Sequence, residues 1–411
     1  MGPEKTRVLY IDGSIGFGGA PKSLALLLSG LKSVDPTIIT SARDDVRAKW
    51  FSGYRVYRIG MISNYYRRLR TTEWLAAHVS SRPIQKLIFK ALLVLDLVES
   101  LVCTLQILVL AKYHRAQLIH MNTACFPPEG LYVARFLNIP SISHLRGFFT
   151  SKESIFVNAM RRASIVIAIS NAVAKSIYHI KGPQFVPVVY DPVDIQAFQC
   201  VVDQQKEARR SLGLKETDIG VGIFGRVVAW KGQREFVYAC IEAMRKHPDI
   251  KAFIIGDASD SAPAYFNEIR AIISGSEFRE RFVLAGYRED VERLYLAMDI
   301  IVHASVEPEP FGMVVPEGMA AKKPVIATDA GGPSEVIESG VDGVLVPLGN
   351  IEKMSAAILD LATDREKRER IGRNGYQKAK ALFTVDSAAG QIEKIYADLV
   401  KMSPVNVLER A

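Results

Sequence analysis

Cysteine is scarce in this sequence: four residues in 411, Cys103, Cys125, Cys200 and Cys240, none at paired spacing. That argues against a disulfide framework and a cysteine-built metal site, and it fits a reducing compartment. No stretch is of low complexity and no short repeat recurs, which excludes solenoid and disordered architectures. The opening MGPEKTRVLYIDG has no apolar signal region and runs directly into a strand pattern. Export is therefore not expected, and a cytoplasmic location is.

What is present is apolar and basic. Hydrophobic residues make up 49% of the chain, ample for a packed core, and the length suggests two domains. The net charge is +8. A large share of the excess lies in Arg55, Arg58, Arg67, Arg68, Arg70, Arg82 and Lys86, with Tyr54, Tyr57, Tyr65, Tyr66 and Trp74 interleaved. A solvated face accounts for such a stretch, and so does an anionic membrane surface. Nucleic acid is not expected as a partner, because no recognition motif accompanies the charge. The stretch leads into KLIFKALLVLDLVESLVCTLQILVLAK, Lys86 to Lys112, which is apolar around most of a helical circumference. Lys90, Asp96 and Glu99 interrupt it, so it is not expected to span a bilayer. A buried core helix and an interfacial helix beside a basic rim both remain open.

Short β-branched runs alternate with helical patterns along the chain. TRVLYIDG, PTIITS, QLIHMNT, PSISHLRG and SIVIAIS read as strands in the first half. IGVGIFGRV, KAFIIGD, RFVLAG, DIIVHAS, KPVIATD and GVLVP repeat the scheme in the second. Alternation of this kind predicts parallel sheets covered by helices. The fold class is α/β: two doubly wound, Rossmann-like domains facing a cleft. The join is expected near PVVYDPVDIQAF, giving domains 1–192 and 193–385, and the helical segment 386–411 is free to cross back onto the first.

Ligands of open α/β sheets bind beyond the carboxyl ends of the strands, so the loops there carry the information. IFGRVVAWKGQREF presents Gly225, Arg226, Lys231 and Gly232 before a helix, two cations suited to a diphosphate. DGSIGFGGAPKS, with Gly13, Gly16, Gly18 and Gly19, lets backbone approach a ligand closely. Its spacing is neither the dinucleotide fingerprint nor a Walker loop. EPEPFGMVVPEGMAA puts Glu309 in a turn with Phe311 and Gly312, then Met313, Val314 and Glu317 in a helix. Two acids so placed can grip separate parts of one elongated ligand, while the helix terminus offers N–H groups to a phosphate.

These motifs resemble the retaining glycosyltransferases of family 4, the glycosyl transferases group 1, which have the GT-B fold. The resemblance rests on the two glutamates around PFGMVVP, the Gly-Arg followed by Lys-Gly, ASIVIAISNAVAKSI, GGPSEVI and GGAPKS. YDPVD departs from the family pattern at Asp191 and Pro192, and no role is carried over to them. The resemblance implies an acceptor-binding first domain and a second domain that binds a nucleotide-diphospho-sugar donor. It assigns Arg226 and Lys231 to the diphosphate, Glu317 to the ribose and Glu309 to the transferred sugar. Gly18 and Gly19 would lie along the donor, Gly286, Tyr287 and Arg288 of LAGYRED would line the nucleobase, and His144, beside Arg146, would stand near the reacting sugar.

The implied function is transfer with retention to an acceptor hydroxyl, with a lipid-linked glycan of envelope polysaccharide synthesis as the acceptor. Peripheral attachment to the inner membrane face would follow. No Asp-x-Asp motif is placed as in metal-dependent transferases, Asp257 to Asp260 being too loose, so neither a metal nor a cofactor is expected. The rivals are a nucleotide-sugar epimerase on the same fold and a non-catalytic nucleotide-sugar-binding protein. An epimerase needs no acceptor surface, and a binding protein could lose Arg226, Lys231 or Glu309 without penalty.

Overall fold

A computed structural model describes residues 5–14, 19–59, 74, 78–150, 154–257 and 263–401 as two compact units. The first comprises Met1–Ile169, Val173–Val189 and Ala388–Ala411; the second comprises Ser170–Ala172 and Tyr190–Ser387. Gly16, Gly18, Arg67, Arg68, Arg70, Tyr65, Tyr66 and Asp260 lie outside the described residues.

The first unit holds a six-stranded sheet: β1 (Thr6–Asp12), β2 (Val34–Thr40), β3 (Arg55–Arg58), β4 (Leu118–Met121), β5 (Ser141–Leu145) and β6 (Ile165–Ala168). Its order is β3-β2-β1-β4-β5-β6 and every pair is parallel. The second unit holds β7 (Ile219–Phe224), β8 (Ile250–Ile255), β9 (Phe282–Gly286), β10 (Ile300–His303), β11 (Val325–Thr328) and β12 (Val344–Val346). Its order, β12-β11-β10-β7-β8-β9, is the same Rossmann sequence over again, again all parallel. Two doubly wound, Rossmann-like sheets are thus established.

Central parallel strands are covered on both faces, so their residues are buried along the whole strand. Residues of β4 and β5 are buried without exception. Helix Gly19–Gly30 covers one face of the first sheet with Leu24, Leu27 and Leu28. The final helix, Val385–Lys401, joins that same core through Ala388, Ala389, Ile392 and Tyr396. Strand β3 escaped the sequence reading. It is a four-residue edge strand with arginines at both ends, so its pattern looked like basic surface. Arg55 pairs with Asp35 of the neighbouring strand and Arg58 lies 3.7 Å from Asp44, so neither is an uncommitted cation.

The apolar run forms one helix, Arg82–Tyr113, 32 residues long. Core burial fails as an account of it. Cys103, Ile107 and Ala111 are buried, but Leu87, Val94, Leu97, Leu101, Leu105 and Val109 are all more than half exposed. By length and composition alone the helix is apolar enough to cross a membrane, with Lys90, Asp96 and Glu99 the charges within its run.

Candidate active site

In the second sheet the strand order reverses between β7 and β10, and a crevice forms beyond such a switch point. The glycines after β7 are there for close approach. Gly225 has φ +125°, and a Cβ on Gly256 would sit 1.9 Å from the Gly225 carbonyl oxygen. Gly232, at φ +72°, lies so near the end of β10 that a Cβ would meet the Ala304 carbonyl at 1.9 Å. This contact brings the turn Ala229–Lys231 against the loop that follows β10. Arg226 remains exposed on the same loop.

Lys231 thereby reaches Glu309, and the two form an ion pair that is largely buried, with side-chain exposures of 16% and 11%. The Lys231 ammonium also lies 4.3 Å from the Trp230 ring centroid. The second carboxylate oxygen of Glu309 accepts from His303 Nε2 at 2.5 Å and from the Ser305 hydroxyl at 2.8 Å. Burial alone would raise the Glu309 pKa, but His303 and Lys231 together hold it well below the usual carboxylate range. The carboxylate is therefore ionised and oriented by three donors.

Its backbone is fixed as tightly. The Gly332 N–H donates to the Glu309 carbonyl at 2.8 Å, and a Cβ on Gly331, whose φ is +70°, would meet that carbonyl at 2.1 Å. The double glycine of GGPSEVI thus has a physical reason: it lets one loop lie flat against the glutamate turn. Glu317 lies in the helix Val314–Ala320 and accepts from the Tyr295 hydroxyl at 2.9 Å. Tyr295 stacks on Phe224, with centroids 3.8 Å apart. Burial, then the Glu317 charge, pushes its phenol well above the usual range, so it stays a neutral donor.

Other expected site residues fall nearby with different parts to play. Phe311 is core, stacked with Tyr190 and edge-on to Phe383, so only its backbone can meet a ligand. Gly312 has φ +79°, Met313 precedes the helix and Val314 is buried in it. That helix is only seven residues long, so its dipole is a smaller aid to a phosphate than the sequence implied, and the charge falls to Arg226 and Lys231. At the end of β9, Gly286 turns with φ +65°, Tyr287 is 57% exposed, and Arg288 forks onto Asp290 at 2.8 and 2.7 Å.

The first unit carries its own polar cluster at the carboxyl edge of its sheet. Arg146 donates to Asn122 Oδ1 at 2.9 Å and to the Ser23 hydroxyl at 2.8 Å. Asn122 donates to buried Asp12 at 2.8 Å. Burial first raises the Asp12 pKa, and its hydrogen bonds and Arg146 oppose that. Gly19 opens the helix after this strand, with clear space where a Cβ would be.

His144 ends a buried string of hydrogen bonds. Tyr10 and Tyr396 hydroxyls are 2.9 Å apart, Tyr396 is 2.6 Å from His120 Nδ1, and His120 Nε2 is 3.2 Å from His144 Nδ1. Burial, then Arg146, lowers the pKa of both imidazoles, of His120 to about 3, so both are neutral. Counting donors then sets the direction. If Tyr10 donates to Tyr396, Tyr396 to His120 and His120 to His144, every internal group is satisfied. Reversed, the string strands the buried Tyr10 proton with no acceptor among the described residues. The favoured order leaves His144 with its proton on Nε2, the one ring nitrogen without a partner. In that order His144 is a hydrogen-bond donor rather than a base, and its Nε2 is buried.

Sequence reasoning did not single out His303, Ser305, Tyr295, Asp12, His120 or Tyr396. Only position at a strand's carboxyl end could have flagged His303 and Asp12.

Residues 204–378 match the family model of the glycosyl transferases group 1. A lipopolysaccharide core biosynthesis mannosyltransferase, LpsB, of Rhizobium meliloti is 29% identical over 244 residues, 59% of this chain and 68% of that protein. A D-inositol 3-phosphate glycosyltransferase of Corynebacterium kroppenstedtii is 29% identical over 228 residues, covering 54% of this chain and half of that one. Among solved structures, Anabaena Alr3699/HepE in complex with UDP superposes with a TM-score of 0.77 at 24% identity, over 96% of this chain and 100% of that one. A glycosyltransferase from Rickettsia africae gives 0.78 at 19% identity, over 97% and 100%. The chain therefore has the GT-B fold, and its residues 204–378 are similar to the glycosyl transferases group 1.

Proposed function

We propose that the chain is a retaining glycosyltransferase of family 4 that moves a sugar from a nucleotide-diphospho-sugar to an acceptor hydroxyl. The observation that carries this is the buried Glu309 carboxylate, ionised and aimed by Lys231, His303 and Ser305 at a strand switch point. Loss of a nucleoside diphosphate builds negative charge on the leaving group and positive character at the sugar. Arg226 and Lys231 supply the cations for the first. Glu309, fixed before substrate arrives, faces the second.

The diphosphate competes with Glu309 for Lys231, so donor binding exchanges one anionic partner of the lysine for another. Glu317 takes the ribose hydroxyls, with Tyr295 holding its carboxylate in place, and Gly286, Tyr287 and Arg288 flank the base. His144 keeps the place near the reacting sugar that the resemblance implies. No side chain is assigned as a covalent nucleophile, which accords with front-face attack guided by the departing phosphate. We assign no metal: Arg226 and Lys231 carry the charge that a divalent ion supplies elsewhere.

The acceptor in this reading is a lipid-linked glycan of envelope polysaccharide, with the enzyme in the cytoplasm and held peripherally on the inner membrane face. The Rhizobium relative, a lipopolysaccharide core mannosyltransferase, supports that class. Incubation with uridine and guanosine diphospho-sugars, with and without a membrane extract as acceptor source, tests it. The expected result is release of nucleoside diphosphate that depends on the extract and survives chelation by EDTA. Sugar epimerisation without acceptor would replace the reading by its epimerase rival.

A further inference from the structure

The helix Arg82–Tyr113 is amphipathic the wrong way round for a soluble protein. At 100° per residue, Asp96, Ser100, Cys103, Ile107 and Ala111 share one side, and Glu99 and Thr104 border it. That side faces the protein: Ile107 is fully buried, and the Ser100 hydroxyl donates to Glu129 of the helix Glu129–Phe136. The opposite side carries Leu87, Val94, Leu97, Leu101, Leu105 and Val109, the last five within a 16-residue run and each at least half exposed. Beside it an apolar groove of about 340 Å³ runs between the two helices, lined by Thr104, Leu108, Tyr132, Val133 and Phe136. Phe136 is 73% exposed at its rim. Isolated exposed leucines are ordinary, but a contiguous apolar face of this length marks a contact with another apolar phase.

Charge decides which one. Arg82, Lys86 and Lys90 are exposed at the start of the helix, and Lys112, with Arg115 just beyond it, is exposed at the end. The only acids, Asp96 and Glu99, are half-buried toward the inward side. A second copy laid on this face, parallel or antiparallel, would bring cations against cations. A bilayer with anionic headgroups meets the same pattern with attraction at both ends and hydrocarbon between them. The inward side packs on the domain along the C-terminal half through Cys103, Ile107 and Ala111, an arrangement that suits a helix lying in the interface rather than one surrounded by lipid.

We propose that the outward face of helix Arg82–Tyr113 docks the protein on an anionic membrane surface, with the adjoining groove taking an acyl chain. The proposal gives the lipid-linked acceptor of the proposed function its location and rests on that reading for its purpose. Its physical content stands on the helix alone.

The test is flotation of the full chain with vesicles of phosphatidylcholine containing phosphatidylglycerol, beside vesicles of phosphatidylcholine only. The variants are Leu97→Gln/Leu101→Gln/Leu105→Gln and, separately, Lys86→Gln/Lys90→Gln/Lys112→Gln. Wild type should float with the anionic vesicles, at least tenfold less with the neutral ones, and release as salt rises. Each triple variant should lose at least tenfold in binding while its thermal transition and its affinity for nucleoside diphosphate stay unchanged. A Leu101→Trp reporter should shift to the blue on anionic vesicles and be quenched by brominated acyl chains. Wild type that stays in solution at low salt would overturn the proposal. So would a vesicle-free dimer that the leucine variant dissociates, which would make the face a contact between copies. Nucleoside diphosphate binding without flotation would end this proposal and leave the transferase reading standing. Flotation without nucleotide binding would do the reverse.

Discussion

At Glu309, Lys231, His303 and Ser305 converge on one buried carboxylate, and their removal has separable consequences. Glu309→Gln keeps the shape but removes the charge, so turnover should fall roughly 100-fold. Free nucleotide affinity should hold or rise, because Lys231 is released from its internal partner. Glu317→Gln should do the opposite, weakening the nucleotide by about 1.5–3 kcal/mol while sparing the chemical step. Calorimetry with nucleoside diphosphate, beside steady-state rates, separates the two; equal losses in both variants would contradict the split. Linkage adds a pH test. The folded pKa of Glu309 lies below its ordinary value of 4.5, so its stabilising contribution is complete above that pH and is lost as pH falls further. Acid titration of stability should therefore be shallower for Glu309→Gln than for wild type, and identical slopes would deny the shift. For His144, nitrogen-15 spectra should show the proton on Nε2, and Tyr396→Phe should free the His120–His144 pair to populate both tautomers. A wild-type spectrum with the proton on Nδ1 would reverse the string.

Among the elements, the loops at the switch point depend on glycines that other residues replace only with strain. Gly232→Ala forces a left-handed backbone onto a residue with a Cβ and drives that Cβ into the Ala304 carbonyl. Strain of this kind costs about 1–3 kcal/mol, and relaxing it should draw Lys231 away from Glu309. Chemical denaturation and rates together should show the variant folded, less stable and at least tenfold slower; unchanged rates would mean that the turn does not position Lys231. Of the twelve strands among the described residues eleven were legible, because buried parallel strands are short, mostly apolar runs whichever sheet holds them. Strand β3 was not, since an edge strand needs no such run. The glutamate pair and the Gly-Arg and Lys-Gly pairs were legible as motifs. Their partners His303, Ser305 and Tyr295 were not, because a histidine, serine or tyrosine in a strand or helix carries no local mark of what it will face. The long helix was legible as apolar but not as inverted. Sequence gives the periodicity of a helix, and only packing decides which side turns inward.

Over the whole molecule, two sheets with one strand order each place polar residues beyond the carboxyl ends of their central strands. The last helix belongs to the first unit, although 386 residues separate Tyr396 from its partner Tyr10. That contact could not be read from spacing, yet it sets the hydrogen-bond direction that ends at His144. Ile392 of the same helix is fully buried in the first core, so Ile392→Ala should cost about 2–5 kcal/mol in that unit. A calorimetric trace should show the loss in one transition while nucleotide affinity holds. The central claim is that the second unit grips a nucleoside diphosphate through Arg226 and Lys231. Titration of uridine and guanosine diphosphates into wild type, Arg226→Ala and Lys231→Ala tests it most directly. The account predicts saturable binding of one nucleotide by wild type and a loss of tenfold or more in each variant with the fold intact. Binding that is absent in wild type, or equal in all three proteins, would contradict it.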